Sequence, residues 1–212
     1  MISRHSIKTP DYWKSASSKL AKNDLIMAAL VKRYAETSLV SRGDPFTTLA
    51  RSIVGQQISV KAADSVWSRV LTLFPAIVPD AMLGGRAQKL RECGLSARKM
   101  EYLSDLARCF ADGTVRPERW TDAPDEEIVA ELTAVRGIGV WTAEMFLIFN
   151  LLRPDVFPVD DIGLQKAAAL HYFGGERPTR CQLLELGENW RPWRTVATWY
   201  LWRSLDPVSV EY

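Results

Sequence analysis

Leu132–Phe149 reads LTAVRGIGVWTAEMFLIF, and this stretch decides the architecture. One apolar-periodic helix ends near Val135, Gly137-Ile138-Gly139 makes a tight turn, and a second helix starts at once. Glycines at alternate positions permit positive φ and the close approach of another backbone. The N–H groups exposed at the start of the second helix form an anion site suited to a phosphate. A lone Gly-x-Gly is most often a corner in a core. Here the apolar residues on both flanks repeat at helical spacing, which makes the segment a helix-hairpin-helix, a sequence-independent grip on a nucleic-acid backbone.

Outward from the hairpin the chain is helix after helix. Toward the N-terminus, Asp24 opens DLIMAALVKRYA, and Asp44-Pro45-Phe46 opens PFTTLARSIVGQ, which stops near Gly55. Ser59 caps VKAADSVWSRVLTLF, and Ser96 caps ARKMEYLSDLARCFADG, which ends at Gly113. Pro75, Pro79 and Gly84-Gly85 break the chain between them, and Pro124-Asp125-Glu126-Glu127 is an acidic helix start. Toward the C-terminus, helices are expected over 139–150, 161–173, 178–190 and 193–204. No alternating strand of useful length is present, so the fold class is all-α.

The 212 residues are 47% hydrophobic and 25% charged, the profile of a globular chain able to bury a core. No apolar run approaches the ~18 residues of a membrane span, and none near the N-terminus resembles a secretory signal, so no membrane association is expected. Cys93, Cys109 and Cys181 are widely spaced, which argues against a disulfide framework, a zinc finger or a cysteine-ligated iron–sulfur cluster. A net charge of +2 means that any basic surface must be local. Four of the eight tryptophans, Trp190, Trp193, Trp199 and Trp202, lie close together. The first three read as core anchors of an amphipathic terminal helix, and His5 and His171 offer no metal or triad geometry.

About twenty residues beyond the hairpin, after the proline-flanked connector Arg153–Pro158, stand Asp160 and Asp161 at a helix start. Capping needs one aspartate, which leaves the other for chemistry.

A hairpin followed at this distance by Val-Asp at a helix start resembles the helix-hairpin-helix DNA glycosylase superfamily. DPFTTLARSIVGQQIS, GLSARKMEYL and WRPWRTVATWYLW are similar to the DNA-3-methyladenine glycosylase II family, over about Asp24 to Leu205. The resemblance implies a two-lobed helical fold with an active-site cleft between the lobes. One lobe would span residues 42–155 and include the hairpin at 132–149; the other would combine 1–41 with 156–212 and carry the catalytic aspartate. The N-terminal β-rich domain of longer members is not expected.

Carried over residue by residue, the family pattern makes Asp161 catalytic, with Leu164 and Lys166 at the matching offsets, and leaves Asp160 as the cap. Trp141, Trp202, Met145 and Tyr200 would line the base pocket. Arg203 stands where a pocket tyrosine can occur, which leaves base selectivity open. Gln57, with Ile58 as the alternative, falls where a residue wedges into the duplex. Gly137, Ile138, Gly139 and Thr142 would bind the DNA backbone, and the carbonyls of Thr133, Val135 and Ile138 could hold Na+ or K+. No cofactor is required and no iron–sulfur cluster is expected. Trp141 also replaces the lysine with which some members cleave the backbone. Lys166, Arg191 and Arg194 read as solvated surface with phosphate within reach.

The function implied is monofunctional: hydrolysis of the N-glycosidic bond of alkylated purines in damaged double-stranded DNA, by a monomer. Its place would be the cytoplasm with the nucleoid in a bacterium, or the nucleus in a eukaryote. Three other readings stay open: a non-catalytic helix-hairpin-helix DNA-binding module, an all-α interaction scaffold, and a mismatch-specific uracil or thymine glycosylase.

Overall fold

The structure, a computed structural model, describes residues 9–83 and 87–205. His5, Gly84 and Gly85 lie outside the described residues. Among those described, all regular structure is helical, as the capping and periodicity patterns require. No helix among them is long and apolar enough to cross a membrane. The chain divides into two compact units, and among the described residues the divisions fall between Arg42 and Gly43 and between Phe146 and Leu147.

The first unit takes residues 9–42 and 147–205. Its helices are α1 (Trp13–Asn23), α2 (Leu25–Arg33), α10 (Ile162–Tyr172), α11 (Arg180–Glu188) and α12 (Arg194–Leu205). Helix α12 packs against α1, α2 and α10. Trp190 is fully buried and hydrogen-bonds Asp24 Oδ2, which also accepts from the Tyr172 hydroxyl at 2.7 Å. The other oxygen of Asp24 caps α2 through the N–H groups of Ile26 and Met27. One carboxylate therefore starts a helix and satisfies two aromatic donors, one of them fully buried, which fixes the register of three segments.

Helix α1 carries no sequence pattern strong enough to announce it: WKSASSKLAKN has three serines and a thin apolar stripe. It forms because Trp13, Ala16 and Leu20 are buried on one side. Trp13 lies edge-on to Trp199 at 5.0 Å and beside Tyr200 at 5.7 Å. Trp190 and Trp199 are core as expected, whereas Trp193 is only half-buried and stacks on Tyr12.

Arg194 departs from the expectation of solvated surface. Its side chain is 14% exposed and forks onto Asp155, with nitrogen–oxygen distances of 2.8 and 2.9 Å. Arg191 joins the same carboxylate and Glu188. The connector is pinned further where Thr195 Oγ1 accepts the Val156 N–H and donates to Arg153 C=O. These bonds fix the chain just before the Asp160-Asp161 pair.

The second unit takes residues 43–83 and 87–146. It holds α3 (Pro45–Gly55), α4 (Val60–Leu73), α5 (Pro79–Leu83), α6 (Ala87–Glu92), α7 (Ala97–Ala111), a single 3-10 turn at Pro117–Arg119, and α8 (Asp125–Thr133). Helix α9 (Val140–Phe149) begins in this unit. Asp44, Ser59 and Ser96 cap their helices through the N–H groups of Thr47, Ala62 and Lys99, as read. Helix α7 packs on α3, α5 and α6, and Leu103, Leu106 and Ala107 on its buried side are wholly inaccessible.

Candidate active site

The Asp160-Asp161 pair is sorted by a turn. The Asp161 N–H bonds back to Pro158 C=O at 2.9 Å, so Asp160 sits on the turn and Asp161 emerges extended, with φ −71° and ψ 124°. That backbone is the one an N-cap adopts. Asp161 Oδ1 accepts the Leu164 N–H at 2.6 Å and caps α10. Asp160 does not take the expected cap; its exposed side chain meets Arg180 at 3.3 Å.

Asp161 Oδ1 also accepts the indole N–H of Trp202 at 2.8 Å. Trp202 stacks nearly parallel on Phe149, with ring centroids 5.8 Å apart and planes 14° apart. The Arg42 guanidinium lies 4.2 Å over the Phe149 ring, and the Arg42 N–H donates to Phe149 C=O. Gly163 completes the group. A methyl there would stand 3.1 Å from both Asp161 Oδ1 and the Trp202 indole, so a bare α-carbon lets the indole lie against the first turn of α10. The result is a half-buried carboxylate at the positive end of a helix dipole, next to an aromatic stack.

The remaining residues expected in the base pocket are Tyr200, Met145 and Trp141. Tyr200 is 2% exposed, and its hydroxyl pairs with Ser17 Oγ at 3.1 Å, so its contacts are with α1 in the core of the first unit. Met145 is buried on α9. Trp141 is exposed in the first turn of α9, two residues after Gly139. Arg203 lies over the rings of Tyr34 and Trp199.

In the second unit the hairpin joins α8 to α9. The Ile138 N–H closes the turn on Val135 C=O at 3.1 Å. Gly137 has φ +87°, and a Cβ there would run into the Tyr102 ring. Gly139 has no atom within 4 Å of where its Cβ would be, and it lies exposed before α9. The two glycines thus divide the work: Gly137 makes the turn and Gly139 leaves the helix start open. Ile138 and Thr142 are buried, at 5% and 7% exposure, so any contact with a phosphate would run through their backbone.

Gln57 stands at φ +59°, a left-handed conformation rare for a residue with a side chain, on the exposed tip between α3 and α4. Ile58 beside it is 41% exposed. Gln56 turns the other way and donates its amide to Gly137 C=O at 2.8 Å. Lys99 Nζ bonds Val54 C=O at 2.7 Å. Asp105 Oδ2 accepts the Arg136 N–H at 2.9 Å, and its other oxygen takes Arg108. Burial raises the Asp105 carboxyl, but the Arg136 N–H and Arg108 outweigh it and hold it below the usual carboxylate range.

No cluster of His, Cys, Asp and Glu suited to a metal ion occurs among the described residues. The carbonyls of Thr133, Val135 and Ile138 lie at the last residue of α8 and on the turn after it, where a helix leaves its last carbonyls without helical donors. Val135 C=O already accepts one N–H and keeps a second lone pair.

Residues 50–192 match the family model described as HhH-GPD superfamily base excision DNA repair protein. The chain is 32% identical over 193 residues to DNA-3-methyladenine glycosylase 1 of Schizosaccharomyces pombe, covering 88% of this chain and 84% of that one. The solved structure of the Schizosaccharomyces pombe 3-methyladenine DNA glycosylase in complex with abasic DNA superposes with a TM-score of 0.77 at 31% identity, over 92% of this chain and 100% of that one. A DNA-3-methyladenine glycosidase from Bacillus halodurans gives 0.76 at 35% identity, over 85% and 87% of the two chains.

Proposed function

The chain belongs to the HhH-GPD superfamily of base excision DNA repair proteins, and we propose that it is a monofunctional DNA glycosylase that releases alkylated purines, of the 3-methyladenine type, from duplex DNA. The observation that carries this reading is the Asp161 carboxylate at the start of α10, hydrogen-bonded to an indole that stacks on Phe149. Relatives of similar length bear the same activity in their names.

The scissile C1′–N bond lies inside a stacked duplex, so the nucleotide must be extruded at a cost of roughly a few kcal/mol. Gln57 or Ile58, on the exposed tip, would fill the space left behind. Backbone N–H groups at Gly139 and the start of α9 would hold phosphates without reading sequence. Hydrolysis then passes through an oxocarbenium-like sugar. Asp161 opposes that positive charge and can orient the attacking water, while the bonds from Leu164 and Trp202 keep its carboxylate from turning. An N-alkylated purine already carries positive charge and leaves without a general acid. An indole face such as that of Trp202 attracts such a cation by about 0.5–2 kcal/mol. Carbonyl oxygens of Thr133, Val135 and Ile138 are the donors that would hold a monovalent cation, whose charge would favour phosphate nearby. The protein acts as a monomer, wherever the cell keeps its DNA.

Incubating the protein with alkylated genomic DNA and identifying the released bases tests the proposal. Release of 3-methyladenine by the wild type and not by Asp161→Asn is expected. Release of uracil or thymine from mismatches would favour a mismatch-specific enzyme. Salt-dependent duplex binding with no base released would reduce the protein to a binding module.

A further inference from the structure

The wedge tip and the hairpin are tied to each other and to the same helix. Gln56 spans them directly, its amide on Gly137 C=O at 2.8 Å. Helix α7 reaches both from three residues at helical spacing, Lys99, Tyr102 and Asp105. Residues at i, i+3 and i+6 share one side of a helix. Lys99 holds the end of α3 by its bond to Val54 C=O, two residues before the tip begins. The Tyr102 ring packs on Gly137 so tightly that no side chain fits there. Asp105 holds the N–H of Arg136. The Lys99–Val54 bond is part-buried, where a hydrogen bond is stronger than on open surface, and burial pushes the Lys99 ammonium down from its ordinary range.

A polar loop needs none of this to be soluble. Glutamine and lysine side chains lose up to about 2 kcal/mol of rotamer freedom when ordered, and here both are held on main-chain carbonyls, one on the hairpin and one at the end of α3. Gln57, next to Gln56, stands at φ +59°, a conformation that persists only where its surroundings enforce it.

We propose that Gln56 and Lys99 are positioning residues that lock the tip carrying Gln57 and Ile58 to the hairpin, so that phosphate binding at the hairpin delivers the wedge already in place. The inference rests on the glycosylase reading for what the wedge does, and on the hydrogen bonds above for how it is held. Its logic is preorganisation: a tip held before contact pays no ordering cost at insertion.

The test separates insertion from catalysis. The wild type, Gln56→Ala, Lys99→Met and Lys99→Arg are mixed with a duplex bearing a tetrahydrofuran abasic analogue and 2-aminopurine in the facing strand. The fluorescence change reports insertion, and titration with undamaged duplex reports the hairpin. Gln56→Ala and Lys99→Met should insert about fivefold to tenfold more slowly, the change expected for one lost hydrogen bond of ordinary net strength. Their affinity for undamaged duplex should stay within about twofold, because Tyr102 and Asp105 still hold the hairpin. Lys99→Arg keeps a donor and should recover most of the rate. Insertion at the wild-type rate in both variants, or a parallel loss of undamaged-duplex affinity, overturns the proposal. Because no base is released in this assay, a wild type that inserts normally but excises nothing would sink the glycosylase reading and leave the brace standing.

Discussion

Trp202 donates its indole N–H to the same Asp161 oxygen that caps α10, at 2.8 Å against 2.6 Å for Leu164 N–H. One oxygen thus fixes both the helix start and the indole, and the geometry of the site does not depend on the carboxylate's charge. Asp161→Asn retains a carbonyl oxygen able to accept both bonds, and asparagine caps helices about as well as aspartate. The substitution therefore removes charge while preserving shape. Single-turnover base release should fall by about 10²–10³-fold, the usual loss when a preorganised stabiliser of transition-state charge is deleted. Duplex affinity and melting temperature should hold. Asp161→Ala should in addition cost about 0.5–2 kcal/mol of stability through the lost cap. Equal excision by wild type and Asp161→Asn would remove this residue from the chemistry.

Asp160→Asn should change little. The carboxylate is 73% exposed and pairs only loosely, at 3.3 Å, with an Arg180 side chain that is itself 63% exposed. Exposed pairs of this kind contribute about 0–1 kcal/mol. Denaturant melts should shift by less than that, and excision should be unchanged. A collapse of activity here with Asp161→Asn intact would reverse the two assignments.

Gly163→Ala isolates the contact between helix and indole. The added methyl would sit 3.1 Å from Asp161 Oδ1 and from Trp202, so one of them must yield by a few tenths of an ångström. Phe149 backs the indole and Leu164 N–H holds the carboxylate, so the bond between the two is what lengthens. Stability should stay within about 1 kcal/mol, because alanine's better helix preference offsets part of the strain. Excision should drop by about tenfold, since displacements of this order at a reacting centre are expensive. A fully active Gly163→Ala would show that the indole is not held for catalysis.

The two hairpin glycines should separate cleanly. Gly137→Ala forces a side chain into φ +87° and into the Tyr102 ring, for a combined cost of about 2–4 kcal/mol. Pairing it with Tyr102→Ala should recover the packing share but not the backbone share. Gly139→Leu meets open space and should fold normally. Its bulk would shield the N–H groups at the start of α9, so it should weaken damaged and undamaged duplex binding alike. A loss confined to damaged DNA would argue against a backbone grip.

These contrasts mark where the sequence was legible. Caps and breakers are local, and Asp24, Asp44, Ser59 and Ser96 could be read from a few neighbouring residues. Helix α1 was not visible because its apolar stripe is thin and its stability comes from Trp199 and Tyr200, far along the chain. Which of two adjacent aspartates caps α10 depends on the turn from Pro158, a matter of one dihedral that composition does not encode. The Asp161–Trp202 bond spans 41 residues and left no local trace, although a glycine in the first turn of a helix is a fair signal that something lies close. Gln56 was readable only as the neighbour of a wedge position; its reach to Gly137 crosses 81 residues. Arg194 looked like a free surface cation because its partner, Asp155, lies 39 residues earlier in the connector.

Cleaving the backbone after base loss needs an amine at the sugar, deprotonated by its surroundings, to form a Schiff base. Two residues past Gly139 stands Trp141, whose indole nitrogen cannot do this. Lys166 lies on the exposed side of α10, five residues from Asp161, beside Ile162 and Leu170. Burial pushes the Lys99 ammonium down from its ordinary range, but its nitrogen is held on Val54 C=O at 2.7 Å. The product should therefore be an intact abasic site, with strand breaks appearing only after alkali or an added abasic-site nuclease. Borohydride added during turnover should trap no protein–DNA adduct. An adduct with the wild type would end the monofunctional reading. Its loss in Lys99→Arg or in Lys166→Arg, each of which keeps the positive charge but not a nucleophilic amine, would then identify the residue responsible.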